Sequence, residues 1–234
     1  RGMNNEDVYG NNLITVTADE LLDCGAILPP TVNVHTVDTV RTREEVADID
    51  AETVLRVINA DDAERVLVSA PSARIINAMM AFTDIFRELR SRDYNVMTIT
   101  SKHGAIINGV KTSRAKFFEA LDQFSNRGEK FVLFHYSILS EGINVHGLTN
   151  VVLLRNLSTV EMAQTIGRVI RLDSVDRKRV SDGTLQPRAY HNYRKPTGYI
   201  SVPVYNNYGK NTAKRVQNTV DTIFSKGRPA TSWI

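Results

Sequence analysis

A single cysteine, Cys24, leaves this 234-residue chain with no disulfide framework, and it fits a reducing compartment, so a cytoplasmic location is expected. There is no cysteine pair, and the five histidines (His35, His103, His135, His146, His191) are scattered, so no ligand set for zinc or another metal is expected. No apolar run reaches the roughly 18 residues of a membrane span, and no membrane partner is expected. A signal-peptide pattern, internal repeats and low-complexity tracts are also missing from the sequence.

What remains has ordinary globular composition, 42% apolar and 24% charged, and is long enough for a full core. The net charge of +3 hides an asymmetry. Residues 1–64 carry 4 Lys/Arg against 14 Asp/Glu, residues 65–164 carry 12 against 8, and residues 165–234 carry 13 against 4. A basic final third suits phosphate, either of a nucleotide or of a nucleic-acid backbone. The acidic first part suits contact with another domain instead.

The most informative stretch is 158–171, Ser-Thr-Val-Glu-Met-Ala-Gln-Thr-Ile-Gly-Arg-Val-Ile-Arg. Ser158 with Glu161 three residues later is a capping box that starts a helix. Gln164, Gly167, Arg168 and Arg171 fall at i, i+3, i+4 and i+7 and share one face. Val160, Ala163, Val169 and Ile170 are expected on the side that packs on a sheet. A glycine inside a helix costs about 1 kcal/mol against alanine, so Gly167 points to close approach by a ligand or another backbone. Two forked guanidinium groups beside it suit a triphosphate. Taken alone, the arginines also fit a solvated helix face.

Upstream, the apolar runs Phe131–Phe134 and Val151–Leu154 flank a polar turn around Ser140-Glu141-Gly142, giving strand, loop, strand, helix. This stretch resembles motifs V and VI of superfamily 2 helicases, in the second RecA-like domain of that ATP-driven motor. Ser140-Glu141-Gly142-Ile143-Asn144 matches motif V, and Gln164-x-x-Gly167-Arg168-x-x-Arg171 matches motif VI. The strand Arg65–Ala70, with Pro71-Ser72 and the periodic Ile75, Ile76, Met79, Phe82, Ile85, Phe86 and Leu89, is similar to motif IV and its helix. A strand from Val96 to Thr100 then runs into Lys102-His103-Gly104, where the family commonly has His-Gly. Arg114, Phe118 and Phe124 fit the helix that precedes motif V. The resemblance covers residues 65–172.

Around that core, residues 1–16 read as a polar lead, with Arg1-Gly2-Met3 as an addition ahead of the native frame, and Thr17–Cys24 as a short helix stopped by Leu28-Pro29-Pro30. Residues 1–40 are assigned to the lead and interdomain linker, with Val32 and Val34 alternating like a strand, and 41–234 to the RecA-like domain. Thr42-x-x-Glu45 is a second capping box opening a helix through Val46, Ile49, Val54, Val57 and Ile58. Residues 173–198 read as an exposed, basic hairpin or loop. Within it Arg177, Lys178, Arg179, Arg188, Arg194 and Lys195, interleaved with Tyr190 and Tyr193, make either an accessory nucleic-acid grip or solvated surface. A last strand (198–204) and a helix from Asn211 to Phe224 close a domain whose final elements span 198–226.

The resemblance implies an α/β, RecA-like three-layer sandwich with a mainly parallel sheet and helices on both faces. It implies ATP with Mg²⁺ in the cleft between two such domains, Arg168 and Arg171 acting as arginine fingers and Gln164 orienting the site. Glu141, Gly142, Asn144 and Gly167 would line the nucleotide side. Ser69, Pro71, Ser72, Lys102, His103, Tyr136 and Ser137 would face a DNA or RNA strand, bound without sequence preference. Two positions depart from the family: Asn144 stands where Asp is usual, and Tyr136 where many members have a phosphate-contacting Thr, so that Tyr136 either stacks on a base or packs in its strand. No G-x-x-x-x-G-K-[ST] run or acidic Asp-Glu string occurs in the sequence. The chain is therefore expected to be the C-terminal half of a larger helicase, inactive alone and partnered by an N-terminal RecA-like ATPase domain. The alternative is a non-catalytic RecA-like module that binds nucleic acid or docks on a partner.

Overall fold

The structure, a computed structural model, describes residues 16–136, 145 and 147–225. Strands β1 (Pro30–Val37), β2 (Arg65–Ser69), β3 (Asn95–Thr100), β4 (Gly104–Ile107), β5 (Val110–Thr112), β6 (Phe131–His135), β7 (Asn150–Leu153) and β8 (Gly198–Tyr205) form one sheet. Their order is β1-β8-β7-β2-β6-β3-β4-β5. The first six in that order pair in parallel, and β4 and β5 extend the edge antiparallel. Parallel strands covered on both faces need apolar residues at consecutive positions, which is why β2, β6 and β7 are continuous runs rather than alternating ones.

Alternate residues of each strand go to opposite cores. Val66, Val68, Val132, Phe134 and Val152 pack with α2 (Val46–Ala60), α3 (Ala73–Phe82) and α4 (Ile85–Ser91). Leu67, Leu133, Val151 and Leu153 pack with α5 (Arg114–Arg127), α6 (Thr159–Val169) and α8 (Lys210–Val220). The result is the three-layer α/β arrangement with helices on both faces that the sequence implied. Of the two capping boxes expected, Ser158 with Glu161 forms at α6, whereas Thr42 and Glu45 bond each other one turn early: α2 starts after Glu45, which makes no side-chain cap. A box that was not anticipated, Thr17 with Glu20, starts α1 (Ala18–Asp23).

The structure differs from the sequence reading in several further places. The periodic run Ile75–Leu89, read as one helix, is the two helices α3 and α4, broken at Thr83-Asp84, and Phe82 is 82% exposed. Residues 30–37, grouped with the lead and linker, are strand β1 and pair over their whole length with β8. The buried side of α6 is Met162, Ile166, Val169 and Ile170, at i, i+4, i+7 and i+8, while Val160 is 67% exposed and Ala163 is half-buried. The hairpin β4–β5 was not anticipated, although its Asn108-Gly109 turn, with φ of 49° and 82°, is the left-handed pair a tight hairpin requires. The last helix ends at Val220, and Asp221–Ser225 continues as a wider turn.

The last difference is the largest. Residues 173–198 are not an exposed hairpin: they hold α7 (Ser174–Ser181) and a short turn at Tyr190–Asn192. Leu172, Leu185 and Tyr193 close with Leu28 into a satellite core, and Asp173, Asp176 and Lys195 are all buried. Their polar groups find partners in the surrounding backbone and side chains, Lys195 on the Val169 and Arg171 carbonyls and Asp173 on the Val175 amide and Arg65, which a count of charges along the chain does not reveal.

Candidate functional site

Helix α6 is held at both ends. At its start the Ser158 hydroxyl accepts from the Glu161 amide at 3.3 Å, and the Glu161 carboxylate accepts from the Ser158 amide at 3.0 Å. The amide of Ser158, then the Ser158 hydroxyl and Arg155, hold Glu161 down to about 2 despite some burial. Arg155, just past β7, pairs with Glu161 at 3.1 Å, donates to the Tyr136 carbonyl at 2.8 Å and lies 5.2 Å from the centre of the Tyr136 ring. The start of α6 is thereby tied to the C-terminal end of β6.

At its other end the buried Lys195 ammonium donates to the Val169 carbonyl and, at 2.7 Å, to the Arg171 carbonyl. These carbonyls end the helix, where a cation is favoured. The Lys195 amide donates to Asp176 at 3.2 Å, while Asp173 caps α7 at the Val175 amide (2.9 Å) and pairs with Arg65 at 3.4 Å. Gly198 lies against the same turn: a Cβ there would stand 2.5 Å from the Val169 oxygen.

Between these anchors Arg168 is 7% exposed, Arg171 is half-buried and Gln164 is exposed one turn earlier. Burial first, and then the charge of Arg171, lower the Arg168 guanidinium from its ordinary value. Burial, then the charges of Arg155 and Arg168, push His135 down to about 3, so this imidazole is neutral at physiological pH. Its Nε2 bonds the Ser69 hydroxyl at 2.9 Å. Beside Gly167 no described atom lies within 4 Å of where a Cβ would be, so the expected close approach is not made by a described part of this chain.

The predicted residues thus fall into groups. Arg168 and Arg171 come together with His135 and Arg155 near the C-terminal end of β6, and Tyr136 is 39% exposed beside them. Ser69 is fully buried and bonded to His135, so its side chain is not presented to a strand. Ser72 spends its hydroxyl on the Ile75 amide at the start of α3, next to the half-buried Pro71. Lys102 is exposed and His103 half-buried past β3, beyond β6 in the sheet. Ser137, Glu141, Gly142 and Asn144 lie outside the described residues. Within the supposed basic grip, Lys195 and Tyr193 are buried and Arg188 pairs with Asp19 and Asp23, which removes them from that role. His135, Arg155 and Lys195 are the site residues the sequence reading missed. His135 directly precedes the candidate Tyr136, whereas Arg155 and Lys195 carry no local signal.

Residues 50–173 match the family described as the helicase conserved C-terminal domain. No curated protein matches the chain. Among solved structures, the chain is similar to the ATP-dependent Type ISP restriction-modification enzyme LlaBIII bound to DNA, at 16% identity and a TM-score of 0.59 over 96% of this chain. It is also similar to a fragment of a putative HsdR subunit of a type I restriction enzyme from Vibrio vulnificus, at 20% identity and a TM-score of 0.55 over 86% of this chain. The chain spans 16% of the first protein's length and 41% of the second's, and at these identities the likeness is one of fold.

Proposed function

The chain belongs to the helicase conserved C-terminal domain family, and on that footing we propose that it is the second RecA-like motor domain of an ATP-dependent superfamily 2 helicase or translocase. The observation that carries this reading is the pairing of Arg168 and Arg171 on a helix anchored at both ends. Two guanidiniums near enough for one to depress the other, beside a neutral imidazole and the open side of Gly167, form a surface that a polyanion relieves. The polyanion is the triphosphate of ATP, held with Mg²⁺ chiefly by an N-terminal RecA-like domain, because this sequence has no phosphate loop. Arg168 and Arg171 stabilise charge at the γ-phosphate, Gln164 orients the site, and Glu141, Gly142 and Asn144 connect it to the nucleic-acid track. The strand runs along the C-terminal ends of β2, β6 and β3, past Ser72, Tyr136, Lys102 and His103. ATP dependence and bound DNA are properties of the LlaBIII enzyme, and their extension to this chain is part of the proposal.

The test is Arg168→Ala and Arg171→Ala in the protein that joins this chain to its ATPase domain. ATP hydrolysis should fall by about 10³-fold or more in each, as on loss of an arginine finger, while nucleotide binding changes far less. Near-normal turnover in both variants would make the arginines structural and overturn the assignment.

A further inference from the structure

On the sheet face opposite α6, a groove of about 200 Å³ opens between α3 and the β3–β4 pair. Its walls include Ile76 and Met80 of α3, and Phe86 closes one end against the Asn108-Gly109 turn. Two polar groups interrupt this apolar lining. Asn77 stands on the same α3 stripe, exposed, between Ile76 and Met80. Thr98 lies in the floor, 8% exposed, two residues after the core residue Val96 and therefore on the strand face where an apolar residue is expected. Among the described residues neither the Asn77 amide nor the Thr98 hydroxyl has a hydrogen-bond partner, whereas the nearby Thr100 hydroxyl is engaged by the His103 amide at 3.0 Å.

We propose that this groove receives one unstacked nucleobase of a bound single strand, an inference that rests on the nucleic-acid reading above. Size limits the occupant: about 200 Å³ is less than the ~300–1,000 Å³ of drug-sized ligand sites and suits a single heteroaromatic group. Chemistry selects within that size. Apolar walls take the faces of a base, and an amide with a hydroxyl pairs with its edge. Charge agrees, since no carboxylate lines the groove, and the chain neighbours Arg74 (beside Ala73) and Lys102 (beside His103) are exposed cations that suit the flanking phosphates. Position agrees too, because the groove reaches His103 past the C-terminal end of β3, at the sheet edge where Tyr136 follows β6. The strand is then held by its backbone but sampled one base at a time, which gives a weak base preference to an otherwise sequence-tolerant grip.

The experiment titrates the 234-residue chain into a ten-nucleotide single strand carrying one central 2-aminopurine, a base whose emission rises on unstacking. Emission should rise on binding to the native chain. Asn77→Phe fills the groove from an exposed position. It should abolish the rise and weaken binding about tenfold, on the scale of one lost base contact. Thr98→Val keeps the shape of the floor and should keep the rise while changing the ranking of A, C, G and T strands. An equal rise with native chain and Asn77→Phe overturns the proposal, places the unstacked base elsewhere, and leaves the strand-binding reading intact. No binding of any strand by the native chain overturns that reading, and the inference with it.

Discussion

The buried Lys195 gives a sharp test of how helix α6 is held. Burial first, and then the charge of Arg65, lower its ammonium to about 7 from an ordinary value of 10.5, against the opposing pull of Asp173 and Asp176. In the unfolded chain the lysine stays protonated up to pH 10.5. Between pH 7 and 10.5 the unfolded state therefore binds more protons, and native stability rises with pH. At about 1.4 kcal/mol per unit, the gain from pH 7 to pH 9 is about 2 kcal/mol. Lys195→Met removes the titration and keeps most of the aliphatic stem. At pH 7 it relieves a buried charge but leaves the Val169 and Arg171 carbonyls without that donor, two opposed effects of a few kcal/mol each, so its effect there is small. The informative quantity is the difference between the two proteins as pH changes. Urea unfolding followed by circular dichroism at pH 7, 8 and 9 should show the native chain gaining about 2 kcal/mol relative to Lys195→Met, with m-values unchanged. Parallel pH profiles would mean that the lysine is not held as the structure places it, and the clamp on α6 would fail with it.

His135 predicts the opposite end of the pH scale. Its folded value of about 3 lies below the ordinary 6.5, so stability is complete above pH 6.5 and falls as the unfolded state takes up a proton; about 2 kcal/mol should be lost from pH 7 to pH 5, and His135→Gln should flatten that decline in the same unfolding assay. Gly198→Ala places a methyl 2.5 Å from the Val169 oxygen, a backbone atom that cannot rotate away. The change should cost about 2 kcal/mol and lower Tm by roughly 4–8 °C; an unchanged calorimetric Tm would show that the β8–α6 junction is looser than described.

The parts of the fold legible in the sequence were those written in local patterns. Continuous apolar runs marked β2, β6 and β7, because a parallel strand covered on both faces requires them. Ser158 with Glu161 marked a helix start, because an unpaired amide needs an acceptor within reach of its own turn, whereas Thr42 with Glu45 pointed one turn too early. The Asn108-Gly109 turn carried an equally local signal, which the family pattern, running straight from His103-Gly104 to the helix at Arg114, obscured. Arg168 and Arg171 were legible as a pair on one face but not as a buried and a half-buried member of a cluster with His135 and Arg155, since that depends on β6, β7 and α6 meeting in space.

Charge was the least legible property, and the reason is physical. Lys102 and Lys195 are the same letter in basic surroundings, yet one is exposed and the other is sealed under the end of α6. The excess of cations after residue 164 suggested a nucleic-acid surface, and the acidic first 64 residues suggested a partner domain. In the structure some of these charges meet each other. Arg188 reaches back to Asp19 at 2.7 Å and Asp23 at 2.5 Å, and Arg65 closes on Asp173. Tyr193, the aromatic half of the supposed grip, is buried and donates its hydroxyl to the Gln186 carbonyl at 3.2 Å. An exposed pair such as Arg188 with Asp19 adds little stability, but it occupies the cation. What residues 173–198 provide is therefore support for helix α6, through Lys195, Asp173 and the close packing at Gly198. On the proposed function, facing phosphate would fall to exposed cations such as Lys102, past the C-terminal end of β3.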